Sequence, residues 1–209
     1  MAMQTITRSL AAPAALSSSG WLKRYYFTRF AFSASWVAIA FSVAKSVPTL
    51  AAIMLIGYPA WDAISNFVDA QRSGGLARNK SQLLNVIVSA ATALAVAVAL
   101  GGSTNGVLVV FGIWAGFAGI FQLATAIGRW KSFGAQWAMI LSGAQSALAG
   151  VFMIKMAQGS APVGIANIAP YAAFGAFYFA VSAIWLTVSD ARKGKRIASL
   201  DAAPATPLG

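Results

Sequence analysis

The chain contains no cysteine, no histidine and no glutamate. Without cysteine there can be no disulfide, thiolate metal site, iron–sulfur cluster or cysteine nucleophile. Without histidine the commonest general base and metal ligand is missing, together with the side chain that titrates nearest neutrality. The carboxylates are Asp62, Asp69, Asp190 and Asp201. An intramembrane enzyme would have to work from Asp62 and Asp69, seven residues apart on one helix, with no nucleophile–base pair beside them. No enzymatic activity, metal or cofactor is therefore expected.

Charge is scarce as well. Only 9% of the 209 residues are charged and 59% are hydrophobic, whereas a soluble domain carries about 25% charged residues. So few charges cannot cover a water-facing surface, and the composition points to a protein embedded in a lipid bilayer. What charge there is is mostly basic, 15 Lys and Arg against 4 Asp. That excess suits either a nucleic-acid patch or the cytoplasmic loops of a membrane protein, and position decides between them.

Residues 106–128 form a run with no charge before Arg129. At ~1.5 Å rise per residue it can cross a hydrocarbon core of roughly 30 Å. Similar runs at 28–44, 49–69, 82–100, 137–156 and 164–188 predict an all-α polytopic bundle of six spans within 27–190. Residues 1–26 are expected to be a disordered cytoplasmic tail ending in an interfacial anchor that includes Trp21, Lys23, Arg24, Tyr25 and Tyr26. Pro13 and the Ser17-Ser18-Ser19-Gly20 run interrupt the apolar core that a secretory signal needs. A mitochondrial transit peptide is favoured by the acid-free, Ser-rich composition and disfavoured by the single Arg8. Residues 191–209 are expected to be basic and then disordered.

The basic residues sort by side. Arg8, Lys23, Arg24, Arg29, Arg72, Arg78, Lys80, Arg129, Lys131, Arg192, Lys193, Lys195 and Arg196 lie in the tails or in linkers after even spans. The turns after odd spans hold Lys45 and, at a span's edge, Lys155. The positive-inside rule then places both termini in the cytoplasm. The nucleic-acid reading falls, because the charges hug span ends instead of forming one patch.

Long connections follow even spans and tight turns follow odd ones, which suggests a two-helix hairpin used three times. Gly112, Gly119 and Arg129 share their spacing with Gly175, Ser182 and Arg192, and Gly143 and Gly150 stand seven apart in span five. Successive units would enter from the same face, making a parallel repeat. At these residues, Phe111-Gly112-Ile113-Trp114-Ala115 through Gly119-Ile120-Phe121-Gln122-Leu123, then Gln136-Trp137-Ala138-Met139-Ile140-Leu141-Ser142-Gly143 and Leu148-Ala149-Gly150, the sequence resembles the HdeD-like family of small bacterial inner-membrane proteins. The resemblance covers 83–155, extends through 165–190 and fades in the first hairpin. It implies six spans and a role in envelope or acid stress, and supplies no catalytic or binding residues.

Two sets of residues are candidates for a role. Gly112, Gly116 and Gly119, with Gly143, Ala147 and Gly150 and with Gly175 in span six, are expected to form seams where helix backbones approach closely. Lipid gives no hydrophobic drive between helices, so such packing carries association. The other set is a polar stripe on span two, where Tyr58, Asp62, Asn66 and Asp69 share one helix face. An intramembrane aspartate costs about 2.5–3.5 kcal/mol at a span's centre and marks function by default. The stripe could bind a proton or cation in a cavity open to the cytoplasm. Equally, Asp62 could bond a neighbouring helix or pair with Arg72. Pro59 and Pro170 should kink spans two and six. Lys45 and Lys155 should snorkel, and Gln122 and Gln145 should bond between helices. Trp21, Trp130 and Trp137 read as inner-interface anchors, and Trp36, Trp61, Trp114 and Trp185 as packed residues.

Two functions compete: a non-enzymatic membrane protein of envelope or acid-stress tolerance, or a small transporter or channel using the stripe around Asp62. A homo-oligomer or a membrane-protein partner is compatible with both.

Overall fold

The computed structural model describes residues 2–128 and 137–201, and among them there is no strand. Six α-helices follow in order: α1 (Ala2–Ser42), α2 (Pro48–Arg72), α3 (Lys80–Leu100), α4 (Thr104–Gly128), α5 (Trp137–Ala157) and α6 (Ile165–Asp201), with a 3-10 turn at Ala44–Ser46. The basic linker 129–136, and with it Trp130, lies outside the described residues, as does the side chain of Trp137.

Local chemistry sets the helix ends. Pro48 opens α2, where its missing N–H is no loss, and Val47 before it is extended at φ −125°. At the other end Gly74 has φ +98°, a conformation that strains any L side chain, and the Gly75 N–H reaches back to the Ala70 carbonyl at 2.8 Å. Asn79 then closes the turn by donating to the carbonyls of Ser73 and Gly75, each at 2.9 Å. Ser103 precedes α4 and accepts the Gly106 N–H at 3.1 Å, satisfying one of the donors exposed at a helix start.

The chain divides into two compact units. The larger, Ser33–Phe174, packs α2 on α3, α3 on α4 and α4 on α5. Phe111, Leu108, Ile168, Val96 and Val107 are its largest fully buried apolar side chains. The α4–α5 seam is close because side chains are missing from it. A Cβ on Gly119 would collide with the backbone of Gly143 and Ala147, and one on Gly150 would come within 2.7 Å of the Gly116 nitrogen. Gly112 faces Gly150 and Ile154 across the same seam, whereas a Cβ on Gly116 would meet open space. Gly175 on α6 is half-buried. This seam joins the second helix of one expected hairpin to the first of the next, so close packing crosses the boundary between the expected repeat units.

The smaller unit holds Met1–Phe32 and Gly175–Gly209. Within it Lys23 Nζ pairs with Asp190 Oδ2 at 2.9 Å, and the Arg29 guanidinium sits 4.3 Å from the centre of the Phe179 ring. The terminal helices extend past the expected spans. α1 is helical from Ala2, through the stretch expected to be a disordered tail, and α6 continues through the basic cluster to Asp201. The α6 extension is rich in Ala, Lys and Arg, which favour helix without needing a packed face, whereas the α1 extension is rich in Ala and Ser and carries one basic residue, Arg8.

Four helices are long and apolar enough to cross a membrane: Lys80–Leu100, Thr104–Ala124, Ile140–Ala157 and Ile165–Gly194, among the described residues. Their outward faces carry Leu94, Val98 (80% exposed), Ile120 and Leu148. Water penalises such a surface and lipid does not. Trp185, expected to pack, is instead 69% exposed, in line with Phe177, Val181 and Ile184 on one stripe of α6. In a bilayer a large apolar side chain is as well placed outward as inward, so its size alone does not give its side.

Candidate functional site

Helical periodicity puts Tyr58, Asp62, Asn66 and Asp69 on one face of α2. Tyr58, Asn66 and Asp69 are buried, Asp69 at 8% exposure, and Asp62 is half-buried. The face meets α3, which runs back antiparallel. The two aspartates stand seven apart, and so do their partners on α3. Gln82 Nε2 donates to Asp69 Oδ2 at 2.6 Å, and Ser89 Oγ donates to Asp62 Oδ2 at 2.7 Å. Asn66 adds a third contact on its own helix, from Nδ2 to Asp62 Oδ2 at 3.0 Å and to the Asp62 carbonyl at 2.8 Å.

The Ser89 hydroxyl carries the network to α4. The Trp114 indole N–H can only donate, and it points at Ser89 Oγ from 3.3 Å. Ser89 thus accepts from Trp114 and donates to Asp62, and each bond polarises the next. Three helices are tied at one buried hydroxyl, which is 1% exposed.

Aromatic rings enclose this chain. The Tyr58 ring lies 5.0 Å from Trp36 and 6.0 Å, edge-on, from Trp114. Trp114 in turn meets Phe111 at 5.8 Å and Tyr171 at 6.0 Å, both edge-on. These are the separations at which ring quadrupoles attract. The polar edges of the rings are used as well. The Trp36 indole donates to the Met54 carbonyl at 2.9 Å, one residue from the Leu55 carbonyl that Pro59 cannot serve. Tyr58 and Ser33 share a 3.5 Å hydroxyl contact. The Tyr171 hydroxyl lies 3.3 Å from Ser146 Oγ, which donates to the Ala115 carbonyl at 2.9 Å. Ser65, between the two aspartates, is 6% exposed and its hydroxyl makes no hydrogen bond.

The four stripe residues therefore lie together, and the structure adds Gln82, Ser89, Trp114 and Ser65. Ser and Gln are common enough in apolar helices to pass unremarked, and the missed signal was their spacing, which copies that of Asp62 and Asp69 on the helix before. Of the two glutamines, Gln122 Oε1 accepts from Ser142 Oγ at 3.3 Å, and Gln145 lines a groove beside α6. Lys45 and Lys155 are exposed at helix ends. Among the described residues no three His, Cys, Asp or Glu side chains converge as a metal site. Chemically, the network can hold helices in register, and its two carboxylates can carry a proton or a monovalent cation.

Residues 84–155 match the family model described as "Short repeat of unknown function (DUF308)". The match takes in Ser89, Trp114 and the α4–α5 glycine seam, while Asp62 lies before it. No curated protein and no solved structure matches the chain. With residues 84–155 similar to that short repeat and four helices long and apolar enough to span a bilayer, the chain has the make-up of a multi-pass membrane protein.

Proposed function

We propose that the chain is a six-span protein of the bacterial inner membrane, both termini cytoplasmic, which supports tolerance of envelope or acid stress without catalysing a reaction. One observation carries the non-enzymatic part. Asp62 and Asp69, the carboxylates inside the helical bundle, are each bonded to a side chain of α3. A carboxylate so engaged within the bundle serves to fix helix register, because leaving it unpaired in hydrocarbon would be costly. The stress role rests on the HdeD-like resemblance over 83–155, a stretch that overlaps the matched short repeat. The orientation rests on the basic residues clustered in the tails and even linkers. A strain lacking the gene should survive acid exposure less well than its parent, and the intact gene should restore it. Normal survival would overturn the stress role.

A second reading, a small transporter or channel, is favoured by Ser65. Its buried hydroxyl makes no hydrogen bond and stands on the face that carries both aspartates. An ion or water at that face would satisfy it. Purified protein in liposomes would then move protons or monovalent cations, and Asp62→Asn would stop the flux. Inert liposomes made with correctly folded protein would exclude this reading.

A further inference from the structure

α5 and the first turns of α6 enclose a groove of about 660 Å³, lined among others by Gln145, Ala149, Phe152, Lys155, Pro170 and Phe174. It lies wholly within the larger unit and is mostly apolar, with Asn167 and Tyr171 also in its wall. Phe152 and Phe174, one from each helix, are left exposed beside it, so it opens outward. Pro170 belongs to its wall, and a proline inside a helix bends it away from a neighbour and leaves the carbonyl four residues back without its helical donor.

Three features specify what fills it. Along α5 the lining runs from Gln145 to Met156, roughly 16 Å at 1.5 Å per residue, which is about half a hydrocarbon core of roughly 30 Å. The groove is therefore one leaflet deep. Its volume lies within the ~300–1,000 Å³ of ordinary ligand sites. At its shallow end, where α5 finishes, stands Lys155, exposed and with no carboxylate of the described residues in ion-pair range. A cation at the interfacial end of an apolar slot one leaflet deep matches a molecule with a long hydrocarbon tail below a negative head.

We propose that this groove binds one acyl chain of an anionic glycerophospholipid, with the phosphate held at Lys155. The site rests on the bilayer reading of the chain and is independent of any stress or transport role. A second copy of the protein laying a helix in the groove is the competing occupant. It would gain apolar contact there and leave Lys155 without an anion.

The test uses the full chain reconstituted in phosphatidylcholine vesicles that contain phosphatidylglycerol with a diazirine near its acyl-chain middle. After illumination, adducts should concentrate on peptides containing 145–156 and 166–174. Unlabelled phosphatidylglycerol should compete for them better than added phosphatidylcholine. Lys155→Gln should keep the fold and reduce that preference about fivefold, as loss of one cation near a phosphate implies. Ala149→Trp should fill the slot and lower adduct yield for both lipids. Adducts spread evenly over outward residues such as Leu94, Val98 and Ile120 would overturn the proposal, as would an unchanged preference in Lys155→Gln. Cross-links between copies through the groove would give the site to a second chain. Release of the protein from vesicles by alkaline extraction would instead overturn the bilayer reading itself.

Discussion

Ser89 Oγ lies 2.7 Å from Asp62 Oδ2 and donates to it, so a buried hydroxyl of α3 is committed to the half-buried carboxylate of α2. The same oxygen receives the Trp114 indole N–H. Ser89→Ala should therefore cost more than a lost methyl-sized contact, because Trp114 loses its acceptor and Asp62 loses a donor. The expected loss is about 1 kcal/mol, within the range for side-chain hydrogen bonds between membrane helices. A double-mutant cycle with Asp62→Ala, which removes the acceptor, read by unfolding in mixed micelles, should show the two changes to be coupled. Strict additivity would mean that the bond contributes nothing.

Asp62→Asn and Asp62→Leu separate the two functional readings. The amide keeps an oxygen for Ser89 and loses the negative charge, whereas leucine loses both. If the carboxylate only fixes helix register, Asp62→Asn should complement the acid-survival defect and Asp62→Leu should lower membrane yield. Failure of well-folded Asp62→Asn to complement would show that the charge itself is needed.

The glycine seam predicts opposite outcomes for neighbouring positions. Gly119→Ala would press a methyl into the backbone of α5, and no side-chain rotation can relieve a contact with backbone. A cost of about 1–3 kcal/mol is expected, as for other overpacked sites. Gly116→Ala points into open space and should be neutral or slightly stabilising through helix propensity. Thermal aggregation of the two purified variants, measured side by side, checks this. Equal losses would remove the seam as the reason for the close approach.

Topology can be tested cleanly because no native cysteine competes for label. Ser73→Cys follows α2 and Ser103→Cys precedes α4. A membrane-impermeant maleimide on intact cells should label Ser103→Cys and reach Ser73→Cys only after permeabilisation. Labelling of both from one side would break the six-span arrangement.

Much of the architecture could be read from the chain because apolar runs and turn residues mark helices directly. Pro48, Gly74-Gly75 and Gly101-Gly102 sit where the sequence put the breaks. The stripe on α2 was legible for a related reason, since an aspartate among aliphatics stands out and helical spacing fixes its companions. Its partners were not. Ser89 and Gln82 are modest residues in a long apolar helix, and only their distance across the turn shows what they bond. Trp185 was misplaced because hydrophobicity separates core from water but not core from lipid. The helical ends of α1 and α6 were read as tails because they lack the apolar stripe by which a packed helix is recognised.

The spacing along α3 acts as a timing device for the polar contacts above the turn. Gly74, Gly75 and Asn79 shape the turn that brings α3 back along α2, and the helix itself then keeps Gln82 and Ser89 in step with Asp69 and Asp62. One residue added within α3 between Gln82 and Ser89 would turn Ser89 by about 100° relative to Gln82, so that both bonds could not form together. Such an insertion should therefore be as damaging as removing the buried hydroxyl, whereas one in the exposed loop should be absorbed there.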